Sequence, residues 1–144
     1  MMTVKQALKE KNSLLKRIND NMQKIQAYNS IDESNKRPYS TSELLSQVRD
    51  LTDELIDLKT KVHQANAPVY DKIFRLSELK SLVKRINTID CSEGKVSERY
   101  SRTEPTIKTS EISVVDRDTI VKDLEEQIER LQDELDVHNA TTHI

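Results

Sequence analysis

Along three long stretches of this chain, apolar residues recur at alternating three- and four-residue intervals, a spacing that predicts helices pairing through narrow seams. The first stretch places Leu8, Leu15, Ile18, Met22 and Ile25 on one stripe, interrupted at Lys11, and predicts helix 1 over about 4–28. Asn, Ser and Asp then cluster up to Pro38, which predicts a loop over 29–39. Ser40 and Glu43 form the pattern of a capping box at the start of helix 2, over about 41–65. Its seam is Val48, Leu51, Leu55, Leu58, Val62 and Ala65, broadened at the start by Leu44 and Leu45. Pro68 disfavours helical geometry at the residue before it and ends the helix near Asn66 and Ala67. A connection of this length predicts that helices 1 and 2 form an antiparallel hairpin.

Val69 to Leu76 reads as a loop, after which Ser77 caps a helix 3 over about 77–93 that uses Leu79, Leu82, Val83 and Ile86 and ends by Gly94. Helix 4, over about 117–137, is capped by Asp116 or Asp118, carries the seam Val121, Leu124, Ile128, Leu131 and Leu135, and closes at Asn139. Between helices 3 and 4 the helical period vanishes. The segment 95–115 alternates weakly through Ile107, Ile112 and Val114, and predicts an extended arm or a small β-hairpin. The expected fold is therefore mainly all-α: an antiparallel, coiled-coil-like helical bundle, with residues 1–144 forming one helical domain.

Composition supports thin seams over a thick core. Apolar residues make up 35% of the chain and charged residues 33%, where globular domains average about 45–50% and about 25%. The aromatics are four Tyr and one Phe, and one Gly and three Pro leave little of the punctuation of sandwiches, barrels or phosphate loops. The net charge of −2 gives no reason to expect nucleic acid. Charge is nevertheless uneven: residues 4–28 carry six basic and two acidic side chains, and residues 116–136 carry nine acidic and three basic. That contrast favours helix 1 lying beside helix 4, within a subunit or across an interface. No apolar run approaches the roughly 20 residues of a membrane span, and the start of the chain has no apolar core of a signal peptide. A single cysteine, Cys91, requires no oxidising compartment, so the expected location is the cytoplasm.

His63, His138, His143 and Cys91 show no metal-ligand spacing, and no acid, base or nucleophile stands out, so neither enzyme chemistry nor a cofactor is expected. The informative polar cluster lies on the arm: Arg99, Tyr100, Ser101, Arg102, Thr103 and Glu104, with Lys108 beyond. Guanidinium forks grip phosphate or carboxylate bidentately, a Tyr ring stacks on a planar group, and a hydroxyl completes the hydrogen bonds. Asn66 and Arg75, at the other irregular turn, are candidates to join the same pocket. The alternative is that the arginines pair with Glu98, Glu104 or helix 4 and pin the arm down.

The opening VKQALKEKNSLLKRI, the HQANAP turn, RYSRTE on the arm and the close VVDRDTIVKDLEEQIERLQDELDVHNATTHI resemble the septicolysin-like family of small helical bacterial and phage proteins, over most of the chain. The family tail places a Trp after the Asn, where this chain has Ala140 after Asn139. The family name implies a haemolysin, but seams this narrow between charged faces do not suit a bilayer. Taken together, the expectation is a non-enzymatic homo-oligomer that sequesters a small anionic, nucleotide-derived signalling ligand, as a phage counter-defence sponge would in the host cytoplasm. The alternative is a structural coiled-coil protein-interaction module with no small-molecule ligand.

Overall fold

A computed structural model of the chain describes residues 1–96 and 106–144. Its described residues form four helices and one small antiparallel sheet, so the fold is mainly all-α. The chain resolves into two compact units, Met1–Val69 with Asp136–Ile144, and Tyr70–Leu135.

The first unit is built on α1 (Val4–Tyr28) and α2 (Thr41–Ala65). Thr3 caps α1 in a reciprocal box: its hydroxyl accepts from the Gln6 amide at 3.2 Å, and its own amide donates to Gln6 Oε1 at 2.9 Å. At the other end Arg37 reaches back from the loop and donates to the Tyr28 and Asn29 carbonyls at 3.1 and 2.9 Å, satisfying acceptors that the helix leaves free. Ser40 Oγ accepts from the Glu43 amide at 3.3 Å and starts α2 where the spacing predicts. Thr41 bonds Asn29 at 3.2 Å and Asn21 bonds Gln47 at 3.3 Å, so the two helices run antiparallel.

The seam of α2 follows expectation, with Leu44, Leu51 and Leu58 buried. The seam of α1 is shifted by one residue. Val4, Ala7 and Leu14 are buried, whereas Leu15 is 38% exposed. Two strings with the same period run side by side along α1 and share Ile18 and Ile25. Leu8, Leu15 and Met22 are the larger residues, but Ala7 lets α2 approach closely, so the string with the small residue is the one buried. Ala7, Leu14, Leu51 and Leu58 form the core cluster, with Ile18, Leu55, Val62, Met2 and Ile144 packed against it. Lys11 is half-buried on this string.

Residues 136–144 close the open end of this hairpin. Val4 N donates to the Thr142 carbonyl at 2.8 Å and Ile144 N to the Met2 carbonyl at 3.0 Å, around an antiparallel bridge between Thr3 and His143. His138 Nε2 lies 3.1 Å from Asn66 Oδ1, and His138 Nδ1 lies 3.1 Å from the Thr142 hydroxyl. Both ring nitrogens of His138 thus have a hydrogen-bond partner. Along its length the partner of α1 within this unit is α2.

In the second unit, α3 (Tyr70–Ile86) corrects the expected loop at Val69–Leu76 and the expected helix at 77–93. Pro68 ends α2, but it also sits in the short 3-10 turn Ala67–Val69 that leads into α3. A proline in the first turn of a helix forfeits no hydrogen bond, because that amide has no partner inside the helix. Ser77 is interior to α3, and Thr88 closes the helix by donating to the Arg85 carbonyl at 2.6 Å. Strands β1 (Gly94–Val96) and β2 (Thr106–Lys108) pair antiparallel, Gly94 opposite Lys108, which gives the small hairpin expected between helices 3 and 4. Gly94 adopts φ +89, a conformation that other residues take only with strain.

Helix α4 (Val114–Thr141) is longer than expected at both ends. Its cap is Ser113, not Asp116 or Asp118: the Ser113 hydroxyl accepts from the Asp116 amide at 3.0 Å, and Ser113 N faces Asp116 Oδ2 at 3.4 Å. Asn139 lies inside the helix instead of closing it. Lys72 and Glu134 pair at 3.1 Å, Arg75 donates to Gln127 at 3.4 Å, and Arg117 donates to the Ile89 carbonyl at 3.2 Å, so α3 and α4 also run antiparallel. Leu76 and Leu135 are buried on this seam, while Val121, Leu124, Ile128 and Leu131 are half-buried.

Candidate functional site

Arg99, Tyr100, Ser101, Arg102 and Glu104 lie outside the described residues, in the stretch that β1 and β2 flank. What the structure places is the base of that hairpin. Lys108, on β2, has its ammonium 3.7 Å from the Asp90 carboxylate. Asp90 also accepts from the Ser92 hydroxyl and from the Ser92 amide, the latter at 2.9 Å. Those Ser92 bonds, with a smaller contribution from Lys108, hold the Asp90 carboxyl below its ordinary range. Ser110 donates to Glu93 at 2.8 Å across the same turn. A lysine bound to an acid at the foot of a hairpin anchors the strands, and that is the visible role of Lys108.

Arg75 stands in a different setting. It lies on α3, donates to Gln127 Oε1, and lines a shallow groove of about 280 Å³ with Gln127, Arg130, Leu131 and Glu134. Gln127 is itself oriented by donating to Asp123 at 2.9 Å, and Glu134 is engaged by Lys72. The groove thus presents two guanidinium groups on helices, a composition that suits a carboxylate or phosphate oxygen. Arg130 had no signal in the sequence beyond one more charge on an acidic helix; only the pairing of α3 with α4 brings it beside Arg75. Asn66 belongs to the first unit, where its side-chain carbonyl serves His138 at the end of α2. Its observed partner is structural.

Cys91 is buried, with its thiol 3.6 Å from the Ile89 carbonyl. Among the described residues no group of His, Cys, Asp or Glu is placed to hold a metal, and no helix is long and apolar enough to cross a membrane.

The remaining feature of functional weight is apolar surface left uncovered on both hairpins. Leu15, Leu45 and Ile56 are exposed on the first, and Leu82, Ile89 and Ile120 on the second. Scattered single residues of this kind are ordinary, but rows of them at helical spacing mark contact surfaces. Comparison of the chain with protein-family models, with curated proteins and with solved structures found no match.

Proposed function

We propose that the chain is a non-enzymatic, homo-oligomeric helical binding protein that sequesters a small anionic, nucleotide-derived ligand. The observation that carries this reading is the α3/α4 hairpin. Four of its seam residues stay half-exposed, and beside them Arg75, Gln127 and Arg130 line an open groove. Assembly would cover the seam and turn the groove into an enclosed site, where charge-assisted hydrogen bonds strengthen as water is excluded. The arm residues Arg99, Tyr100, Ser101, Arg102 and Glu104 supply further phosphate-binding and stacking chemistry to the same ligand class. The resemblance to septicolysin-like bacterial and phage proteins suits a sponge acting in a host cytoplasm, a role that needs binding and no turnover.

Native mass spectrometry of protein purified from cells reads the subunit number and any retained ligand together. Titration calorimetry against a nucleotide panel then tests the binding residues. Loss of a charged hydrogen bond is worth about 1.5–3 kcal/mol, so Arg75→Ala, and Arg99→Ala with Arg102→Ala, should each weaken binding by roughly ten- to a hundredfold. Binding that survives all three substitutions, or a panel with no binder, removes the ligand reading.

A second reading is favoured by the exposed Leu15, Leu45 and Ile56 of the first hairpin, which are apolar and carry no anion-binding donors. In that case the chain is a structural coiled-coil interaction module, and no small molecule raises its melting temperature.

A further inference from the structure

On the second hairpin the exposed apolar residues gather at the end that carries β1 and β2, and they include Leu82, Ile89, Ile112, Val114, Val115 and Ile120. Two of them share a side with the Arg75–Gln127 bond, since Leu82 stands one heptad after Arg75 on α3 and Ile120 one heptad before Gln127 on α4. Leu82 and Ile120 are 40% and 43% exposed. Ile89 follows just beyond α3, where its carbonyl accepts from Arg117. The sequence between the two strands, SERYSRTEP at 97–105, offers one ring and otherwise charge, hydroxyls and a proline, so it contains no apolar row that could cover these positions.

Charge decides what can cover them. Residues 82–120 carry seven basic and seven acidic side chains, so this end meets a copy of itself without net repulsion. The side of the first hairpin that bears Leu8, Leu15 and Leu45 does not, because its charges, Lys5, Arg49 and Lys59, are all positive. The register of self-pairing is set about Leu82. Glu78 lies four residues before it and Arg85 three residues after it, and neither makes an ion pair among the described residues. Arg85 has no carboxylate three or four residues away on its own helix. A two-fold axis across Leu82, relating two α3 helices that run antiparallel, sets Glu78 of each copy against Arg85 of the other, twice in one interface.

We infer that two copies of this chain pair face to face over Leu82 and Ile120, with their second hairpins antiparallel about a two-fold axis. This rests on the self-association proposed above and names its surface. One heptad is about 10 Å of helix, so the Ile89 end of one copy reaches the level of Arg75 in the other. It lies over the groove of Arg75, Gln127 and Arg130, and the second copy supplies the enclosure that the open groove lacks.

Sedimentation velocity and native mass spectrometry at low salt test the arrangement, with helical dichroism reporting folding. Leu82→Glu with Ile120→Glu changes only exposed positions and should leave the helical signal intact while the oligomer dissociates. Glu78→Arg and, separately, Arg85→Glu should each weaken association by about tenfold, and both changes in one chain should restore it, because the pair across the axis is then re-formed with its signs exchanged. Leu82→Cys should link two copies through a short bismaleimide, because the axis sets residue 82 against its own counterpart, whereas Leu15→Cys should not, and the buried Cys91 of the wild-type chain gives the background. Association unaffected by either charge reversal or not restored by their combination, or a Leu82→Cys chain that links no better than wild type, overturns this surface while leaving the assembly itself standing. A wild-type chain that sediments as a monomer at every concentration overturns both.

Discussion

Leu14 and Leu15 are neighbours in sequence, and replacing each by Ala distinguishes the two seam registers available to α1. Leu14 is 2% exposed and sits in the core cluster with Ala7, Leu51 and Leu58. Truncation removes three carbons, about 2.4 kcal/mol at ~0.8 kcal/mol per buried methylene, and leaves a cavity against α2 that adds to the loss. Leu14→Ala should therefore cost about 3 kcal/mol, within the range of roughly 2–5 kcal/mol for buried leucines. Leu15, 38% exposed beside the seam, leaves no closed cavity, and Leu15→Ala should cost about 1 kcal/mol or less. Urea unfolding followed by helical dichroism measures both. The comparison belongs at micromolar concentration or below, where association contributes least to Leu15. Equal losses, or a greater loss at Leu15, would refute the register and restore Leu8, Leu15 and Met22 to the core.

Three further outcomes follow from local geometry. Ser113→Ala removes the cap of α4 and should cost about 1 kcal/mol, read by the same unfolding experiment, whereas Asp118→Ala should cost a few tenths at most. Gly94→Ala meets no neighbouring atom within 4 Å, so its penalty is backbone strain alone, about 1–2 kcal/mol at positive φ, read as a lower melting temperature. The Asp90 carboxyl is held below its ordinary value of 3.8 by Ser92, so the hairpin base is fully stabilised above that pH and loses this contribution as the pH falls through the depressed value. Carboxyl NMR titration of Ser92→Ala should move the Asp90 midpoint upward, and an unmoved midpoint would show that the Ser92 bonds are not its cause.

The bounds of α1 and α2 were legible to the residue because strong local signals coincide there: a Ser or Thr cap at the start, and Asn-rich or Pro-containing sequence at the end. The start of α3 was not, because Pro68 is compatible both with ending one helix and with opening the next, and only packing of Leu76 decides between them. At the start of α4 the aspartates at 116 and 118 carry a cap signal as strong as that of Ser113, and the serine followed three residues later by Asp116 is the pattern of the reciprocal cap that forms. The register of α1 could not be read from side-chain size, since the choice depends on how closely α2 approaches Ala7. The same limit governs the candidate site. In the sequence Arg75 and Lys108 are polar residues near irregular turns, and the structure gives them different partners, Gln127 and Asp90, that no local pattern specifies. Arg130 enters only through the pairing of two helices some fifty residues apart in sequence.

A pair of antiparallel helices needs apolar residues only along its shared seam, and the positions just outside are where such a pair normally carries charge. In the first hairpin one outer side follows that rule, with Glu10, Arg17, Lys24, Gln47, Glu54 and Lys61 at the flanking positions. The other side carries Leu8, Leu15, Met22 and Leu45 instead. A pair that stayed isolated in water would gain far less from those four residues than from its seam, and each enlarges the surface open to aggregation. Charge on the same side is confined to cations, which disfavours pairing of this face with a copy of itself.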